Sequence, residues 1–512
     1  MMHGSPLLTL LFTTIAISNA IHNEREPQKV CSSAWIYPRG GSLAPETPHI
    51  IRKEMESNTD NNTPLCHPSN IPLAARTFSP IHGMNAYRFL KGLASSPTFV
   101  NAYWHKKPLF LQGSSNNWIP DAFTVDRDLK LIDGSYITGH KTADIMRNGS
   151  KTDTWAFTPL KADPACATTW DDIAKAMEGG TIYFNTAGSL WPTLGGLCRL
   201  TNAAFGLPAN VNIYITPPGQ TLSVPPHTDR QDVLVFQTQG AKRWRVYAPP
   251  KRSKGVDPLN RGKAGDVLSF EELAEPIIDI VLRKGDCLYV PTGFPHTTDT
   301  YIQDEINSNN NNNNNCENQT ILPEMAVHLT MGLDTHVWGL TLAHLRWSIL
   351  QRCDKEHTIN IENDDIFWQA METIPIGFLV PGESWKTTIE NIKEGKGLDN
   401  TYSQLVMEEL KRIMLLLEPK RWTKEDLPTD EDIHQVINYM ITQHLQTLME
   451  VQEEMLSDIR PNDEDTLIKA YKCTQQQNAV MEKFGAFSKN DAMKDMFQKR
   501  RLEREDRANT LR

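Results

Sequence analysis

The stretch between Val211 and Leu333 limits most strongly what this chain can fold into. It consists of short apolar runs, rich in β-branched and aromatic residues, that alternate with Pro, Gly and Asn. Short, closely spaced strands with turn signals between them are typical of β-sandwiches and barrels. We therefore predict a barrel or a double-sheet jelly roll in this region. The runs are "VNIYITPPG", "DVLVFQTQG", "RWRVYAPP", "IIDIVLRKGD", "CLYVPTGFPHTT" and "MAVHLTMGL".

The sequence before this region changes character twice. Residues 1–20 contain an apolar stretch that ends in small residues, and we interpret it as a secretory signal peptide, although no Lys or Arg precedes the stretch. Residues 21–79 are rich in Asn, Pro, Ser and charge, which predicts a disordered lead-in. From residue 80 to residue 206 the pattern predicts helices mixed with short strands.

The sequence after this region shows helical periodicity. Apolar residues recur at helical spacing in Tyr402–Pro419 and in Glu431–Leu456. The apolar stripe of the second segment is either a core face or a dimer face, and its sequence does not separate the two. The predicted domains are residues 80–335, with an Asn-rich loop at 303–320, then a helical and dimerisation region at 336–420 and a helical C-terminal region at 421–512.

The composition argues against several classes of protein. The net charge of -10 and the pI of about 5.9 come without a basic domain, so we do not predict direct binding of nucleic acid. The 8 cysteines are scattered and form no CxxC pair, which argues against a structural zinc site and a disulfide scaffold. No segment is long and apolar enough to predict a transmembrane helix.

Three residues have the chemistry of a metal site. His227 and Asp229 are two apart beside a strand, and residues i and i+2 of a strand point to the same side of a sheet. His296, which follows a Gly/Pro turn, is the best candidate for a third ligand. Two imidazoles and one carboxylate form the facial triad of non-haem Fe(II) oxygenases. The alternative is that these are ordinary hydrogen-bonded histidines of a strand.

Lys242 adds a cation to this picture. It follows the next apolar strand, so a barrel can bring it within reach of the metal. A 2-oxo dicarboxylate bound to the metal would need such a cation for its far carboxylate. The alternative is a surface lysine in the basic turn that Lys242 forms with Arg243.

Two further pairs of polar residues share strand faces. Asn212 lies two residues from Tyr214, and His328 lies two residues from Thr330. Polar side chains on the inner face of a small barrel need partners. A bound cosubstrate would supply these partners, and hydrogen bonds to backbone or water are the alternative.

The three motifs "NIYITPPGQTLSVPPHTDRQDVLVFQTQGAKRWRVYAPP", "LRKGDCLYVPTGFPHTT" and "VHLTMGL" together resemble the ribosomal oxygenases. This is a JmjC-type branch of the cupin-fold 2-oxoglutarate oxygenases, and it includes a bifunctional lysine-demethylase and histidyl-hydroxylase group. The segment "YWHKKPLFLQG" is similar to the part of that family that precedes the barrel. The resemblance implies a double-stranded β-helix (the cupin/JmjC jelly roll) with N-terminal α/β decoration. It also implies a mostly α-helical C-terminal part, with helical dimerisation and a winged-helix-like end.

The resemblance also implies a site and a function. Fe(II) would bind His227, Asp229 and His296, and 2-oxoglutarate would bind Lys242, with Asn212, Tyr214 and Thr330 as neighbours. The implied function is hydroxylation of a protein side chain, such as a histidine of a ribosomal protein. The alternatives are JmjC lysine demethylation, a cupin enzyme that does not use 2-oxoglutarate and a non-catalytic cupin-fold binding protein. The family implies the nucleus or nucleolus, whereas the N-terminus indicates the secretory pathway.

Overall fold

The computed structural model shows two sheets, with helices packed against the larger one. It describes residues 80–113, 118–129, 137–147, 150–159, 169–207, 209–229, 231–249, 268–303, 319–321, 324–333, 340–353, 385–396, 401–417 and 427–457. The strands are β1 Leu109–Leu111, β2 Ile137–Arg147, β3 Ser150–Pro159, β4 Gly180–Phe184, β5 Ala209–Thr216, β6 Val224–His227, β7 Asp232–Gln239, β8 Ala241–Tyr247, β9 Pro276–Arg283, β10 Cys287–Val290, β11 His296–Asp299, β12 Tyr301–Gln303, β13 Gln319–Ile321 and β14 Ala326–Leu333. The helices are α1 Pro80–Ala94, α2 Pro97–Ala102, α3 Ile119–Ala122, α4 Val125–Asp128, α5 Trp170–Gly179, α6 Pro192–Phe205, α7 Leu342–Arg352, α8 Trp385–Lys393, α9 Thr401–Leu417 and α10 Asp430–Ser457.

The predicted double-sheet arrangement is confirmed. The larger sheet has the strand order β1-β10-β7-β14-β5-β4-β3-β2, and the smaller sheet has the order β6-β11-β8-β9. Strands β10, β7, β14 and β5 are antiparallel neighbours, as are the four strands of the smaller sheet. Four antiparallel strands therefore face four others, which is the architecture of a jelly roll.

The alternation of side chains along β7 explains why the two sheets pack together. Val233 and Val235 point toward the smaller sheet, where they form one apolar cluster with residues such as Trp244 of β8. Leu234 and Phe236 point the other way and belong to the main core beneath the helices. Both faces of the strand are thus buried, which accounts for the nearly continuous apolar run "DVLVF".

Strand β14 has one apolar face and one polar face. Val327, Leu329 and Met331 lie in the main core. His328 and Thr330 point into the space between the sheets, where they line a pocket. His328 and Thr330 therefore share a face, as their two-residue spacing predicted.

The turn between β7 and β8 contains a glycine, Gly240, and β8, which carries Lys242, begins directly after it. Gly240 has a φ of +61°, which is in the left-handed region. A Cβ atom at this position would collide with the carbonyl oxygen of Met325 on the neighbouring chain segment. Glycine meets both requirements because it has no side chain.

Helices α3, α5 and α6 pack against the larger sheet, and helices α7 to α10 pack against one another. Helix α6 contributes Leu194, Leu197 and Leu200 to the main core, and α10 contributes Ile433, Ile437 and Ile441. The apolar stripe of α10 is therefore a core face within the described residues. None of the helices in the described parts of the chain has the length and apolar character needed to cross a membrane.

Several sequence predictions fall outside the described residues. These are the signal peptide at residues 1–20, the lead-in at 21–79 and all of the C-terminal region beyond residue 457. Most of the Asn-rich loop is also outside them. At its two ends, β12 and β13 pair as an antiparallel ribbon, with Gln303 opposite Gln319.

Candidate metal centre

Three side chains converge between the sheets. His227 at the end of β6 lies directly opposite His296 at the start of β11 in the antiparallel register of the smaller sheet. Asp229 follows β6 by two residues. Its carboxylate lies 3.9 Å from Nε2 of His227 and 3.6 Å from Nε2 of His296. The strand pairing thus brings together residues that are far apart in the sequence.

Backbone carbonyls determine which nitrogen of each imidazole faces the carboxylate. Nδ1 of His227 is 2.8 Å from the carbonyl oxygen of Pro225, and Nδ1 of His296 is 3.1 Å from that of Phe294. A carbonyl oxygen can only accept a hydrogen bond, so each Nδ1 carries the proton. In the neutral imidazole each Nε2 then presents a lone pair to the space beside Asp229, which is the tautomer that a metal ligand requires.

The spacing of these donor atoms suits a metal ion. The ligand atoms of His227, Asp229 and His296 all lie within 4.8 Å of one another. Two ligands that each bind one ion at about 2.0–2.2 Å can be up to about 4.4 Å apart, and both carboxylate distances are below this limit. Two imidazoles and one carboxylate suit Fe(II) and leave coordination positions open.

The site opens into a pocket between the two sheets. The side chain of Asp229 is 28% exposed, so the candidate metal site reaches solvent, whereas both histidines are buried. The pocket is lined by Tyr214, Val224, His227, Asp229, Val233, Lys242, Trp244, His296, Thr297, Thr298, His328 and Thr330.

Lys242 lies deep in this pocket and is 0% exposed. Its Nζ donates a hydrogen bond to Oγ1 of Thr216 at 2.7 Å, and the hydroxyl of Thr216 lies 3.2 Å from that of Thr181. A buried ammonium group is costly unless it is hydrogen-bonded or paired with a negative charge. The interpretation of Lys242 as a surface lysine is therefore wrong.

Aromatic rings form one wall of the pocket. The ring of Tyr214 stacks on His328 at 4.9 Å with an interplanar angle of 2°, and Tyr183 stacks on the other side of Tyr214 at 5.2 Å. Burial, with smaller contributions from Asp229 and Tyr183, raises the pKa of Tyr214 well above its usual value. Its hydroxyl therefore keeps its proton at neutral pH and can donate a hydrogen bond.

Of the four residues predicted to surround 2-oxoglutarate, three line the pocket and one does not. Lys242, Tyr214 and Thr330 all line the pocket. Asn212 is not among its lining residues, although it is opposite Thr330 in the sheet. Its Oδ1 instead accepts a hydrogen bond from the backbone N–H of Thr186 at 3.0 Å, and Thr186 has a left-handed backbone conformation.

One residue that lines the pocket, Trp244, and one that contacts a lining residue, Thr216, were not predicted as site residues. Thr216 binds Lys242, and Trp244 stacks on His296 at 5.7 Å. The same two-residue spacing that linked Asn212 with Tyr214 also leads from Tyr214 to Thr216 and from Lys242 to Trp244. Extending the periodicity by one step along each strand would have found both.

The family comparison matches the segment that carries this geometry. Residues 197–308 match the model of the JmjC domain. The metal triad and Lys242 all lie within this segment. The predicted resemblance to ribosomal oxygenases is confirmed, and a JmjC/cupin-type fold with mixed helices and sheets agrees with the strand order described above.

Curated relatives match a part of their own length. Ribosomal oxygenase 1 of Gallus gallus is 30% identical over 216 residues, which are 42% of this chain and 34% of that protein. Ribosomal oxygenase 1 of Danio rerio is 28% identical over 268 residues, covering 51% of this chain and 47% of that one. Bifunctional lysine-specific demethylase and histidyl-hydroxylase NO66 of Drosophila erecta is 35% identical over 224 residues, covering 43% and 32%. The matches thus span from 32% to 47% of the length of these relatives.

Solved structures of the Escherichia coli ribosomal oxygenase YcfD are also similar. One of them, a complex with cobalt and 2-oxoglutarate, aligns over 67% of this chain and 70% of that chain, with 19% identity and a TM-score of 0.31.

Proposed function

We propose that this protein is an Fe(II)- and 2-oxoglutarate-dependent protein hydroxylase. The observation that carries the proposal is the convergence of two Nε2 atoms and one carboxylate beside a pocket with a buried lysine. The JmjC match and the names of the curated relatives support it. Together, Fe(II) and 2-oxoglutarate would supply the chemistry, in which dioxygen oxidises the cosubstrate to succinate and carbon dioxide and the substrate is hydroxylated.

The residues of this chain would hold and orient these groups. His227, Asp229 and His296 would occupy three positions of the metal and leave the others for the cosubstrate and dioxygen. Lys242, whose Nζ is held by Thr216, would bind the far carboxylate of 2-oxoglutarate at the inner end of the pocket through a charge-assisted hydrogen bond. Thr330 and the hydroxyl of Tyr214 are further donors along the same walls. The aromatic wall would exclude water from the cosubstrate.

The test is the formation of succinate from 2-oxoglutarate by the purified, iron-loaded chain. The proposal predicts turnover that is lost in Asp229→Ala and retained in Asp279→Ala, a carboxylate that pairs with Arg243 on the smaller sheet and is not among the pocket residues. An iron-loaded wild-type protein that does not convert 2-oxoglutarate, with or without candidate substrates, would contradict it.

For the substrate, we propose a histidine side chain of a ribosomal protein. The names of the relatives support this, since they contain "ribosomal oxygenase" and "histidyl-hydroxylase". Lysine demethylation is the second candidate because the name of NO66 also contains "lysine-specific demethylase". Hydroxylation of an N-methyl group releases formaldehyde, whereas hydroxylation of a histidine adds one oxygen atom to the product. Formaldehyde measurement with a methyl-lysine peptide and mass spectrometry with ribosomal proteins therefore separate the two.

The outer regions of the chain and its cellular location are also matters of proposal. We propose that helices α1 and α2 and strand β1 belong to an N-terminal α/β decoration of the barrel, that residues 336–420 support a homodimer and that the chain ends in a winged-helix-like region. The family resemblance supports these assignments, and light scattering of the purified chain tests the dimer. The N-terminal residue of the mature protein tests the compartment, since a start at Ile21 would place it in the secretory pathway.

A further inference from the structure

A second carboxylate lies close to the candidate metal centre but does not take part in it. Asp232, the first residue of β7, is 0% exposed and is not among the residues that line the pocket. It comes three residues after Asp229 in the sequence. Moving a carboxylate out of water costs several kcal/mol unless other groups pair with it. This position therefore needs a compensating network.

Two segments of the chain, one at His105 and one from Tyr289 to Thr292, supply that network. Nδ1 of His105 lies 3.2 Å from Oδ1 of Asp232, and the hydroxyl of Tyr289 donates a short hydrogen bond to Oδ2. The backbone N–H of Thr292 donates to Oδ1 at 2.9 Å. The backbone N–H of His105 also donates to the Tyr289 hydroxyl at 2.9 Å, which closes the network.

The balance of forces on Asp232 favours its charged form. Burial alone would raise its pKa, but the attraction of His105 and the hydrogen bonds from His105, Tyr289 and Thr292 lower it below the usual value. Asp232 is thus a carboxylate held in place from several directions by its partners.

The network leads directly to the metal ligands. Thr292, which donates to Asp232 through its backbone, also donates from Oγ1 to the backbone carbonyl of Asp229 at 3.0 Å. The backbone N–H of Gly293 donates to the same carbonyl at 3.0 Å. The turn that contains Thr292 and Gly293 then leads into His296, the third ligand of the triad. One turn therefore fixes the backbone at Asp229 and the start of the strand that carries His296.

We propose that Asp232, through the turn at Thr292 and Gly293, is a positioning residue that sets the spacing of Asp229 and His296 and thereby the affinity of the metal centre. The inference rests on the proposed function only in assuming that the triad binds a metal. Outer partners that orient metal ligands commonly change metal affinity about 10- to 100-fold when they are mutated. We expect a loss of that size in Asp232→Asn, because an amide does not replace both acceptor oxygens.

Asp286→Asn is the matched control. Asp286 is a buried carboxylate that also accepts two backbone hydrogen bonds, from Gly113 at 2.7 Å and from Arg283 at 2.8 Å. It lies at the other end of β10 from Thr292 and is not bonded to the turn that holds Asp229. The control therefore has a similar local effect on stability without reaching the metal ligands.

The experiment measures Co²⁺ binding to the full chain by calorimetry, together with the visible absorption of the bound ion. We expect a dissociation constant about 10- to 100-fold higher and an altered spectrum for Asp232→Asn, with Asp286→Asn unchanged. Equal affinities and spectra in Asp232→Asn, Asp286→Asn and the wild type would overturn the inference. Failure of the wild type to bind Co²⁺ would overturn the metal centre itself, which is a different result.

A second pair of variants covers the case in which Asp232→Asn does not fold. Thr292→Val removes only the hydroxyl that donates to Asp229, and Thr292→Ser keeps a hydroxyl at that position. We expect weaker Co²⁺ binding and an altered spectrum in Thr292→Val, with recovery in Thr292→Ser. Identical binding by the two folded variants would show that the turn does not transmit position to the metal ligands.

Discussion

Replacing Lys242 with methionine is the sharpest perturbation of the proposed cosubstrate pocket. Methionine keeps most of the apolar stem and removes the ammonium group that hydrogen-bonds Thr216 at the inner end of the pocket. If this group binds the far carboxylate of 2-oxoglutarate, the variant loses a charge-assisted hydrogen bond. The metal ligands are not changed, so metal binding and cosubstrate binding should separate.

The size of the effect follows from the burial of Lys242, which is 0% exposed. A hydrogen bond to a charged group contributes about 1.5–3 kcal/mol. Since about 1.4 kcal/mol corresponds to a tenfold change in affinity, the dissociation constant of 2-oxoglutarate should rise roughly 10- to 150-fold. The hydroxyls of Tyr214 and Thr330 remain as donors on the pocket walls, so binding should weaken rather than disappear.

The assay is a titration of metal-loaded protein with 2-oxoglutarate, together with the KM for 2-oxoglutarate in succinate formation. Lys284→Met is the control, because Lys284 is an exposed lysine in the turn between β9 and β10. It should bind 2-oxoglutarate as the wild type does. Unchanged 2-oxoglutarate affinity in a folded Lys242→Met protein would refute the role given to this lysine, whatever its effect on stability.

Two further predictions concern stability. Gly240→Ala should lower the free energy of unfolding by more than the roughly 1–3 kcal/mol of a strained backbone alone, because its Cβ also meets the carbonyl of Met325. Gly395 has a left-handed backbone conformation too, but a Cβ atom there would have no other atom within 4 Å. In chemical denaturation, Gly395→Ala should therefore lose less unfolding free energy than Gly240→Ala. Equal losses in the two variants would argue against a collision with Met325. Burial lowers the pKa of His444 from its usual value of 6.5 to about 4. As the pH falls, the unfolded state therefore binds a proton at this residue before the folded state does. We expect His444 to lower the stability of the fold as the pH falls from about 6.5 toward 4. Melting temperatures across that range should decline less steeply in His444→Gln, and an unchanged slope would contradict the assignment.

The sequence was sufficient to predict the jelly roll and the candidate triad because both depend on local spacing. The alternation of Val233 and Val235 with Leu234 and Phe236 marks a strand that is buried on both faces. The two-residue spacing of His227 and Asp229 needs only the geometry of one extended segment. The motif that contains His296 supplied the third ligand, although the register that places it opposite His227 is a property of the folded sheet.

The remaining features depend on contacts between distant segments. The network around Asp232 joins it to His105 and to the segment from Tyr289 to Thr292, and no spacing in the sequence relates His105 to that segment. Asn212 shows the converse case. Its strand position predicted a side chain that lines the pocket, but the side chain of Asn212 contacts the pocket through a hydrogen bond to Tyr214, and its oxygen accepts from the backbone of Thr186. Inward-facing polar residues can be predicted from periodicity, whereas their partners cannot.

Metal binding by the triad is the most direct test of the central claim. Calorimetric titration of the full chain with Co²⁺ should give one ion per chain in the wild type. His296→Ala should abolish binding at this site, since it removes one of the three ligand groups. His434→Ala, which changes a histidine of α10 far from the triad in the sequence, should bind as the wild type does. A wild-type protein that takes up no ion, or a His296→Ala protein that binds with unchanged affinity, would contradict the account.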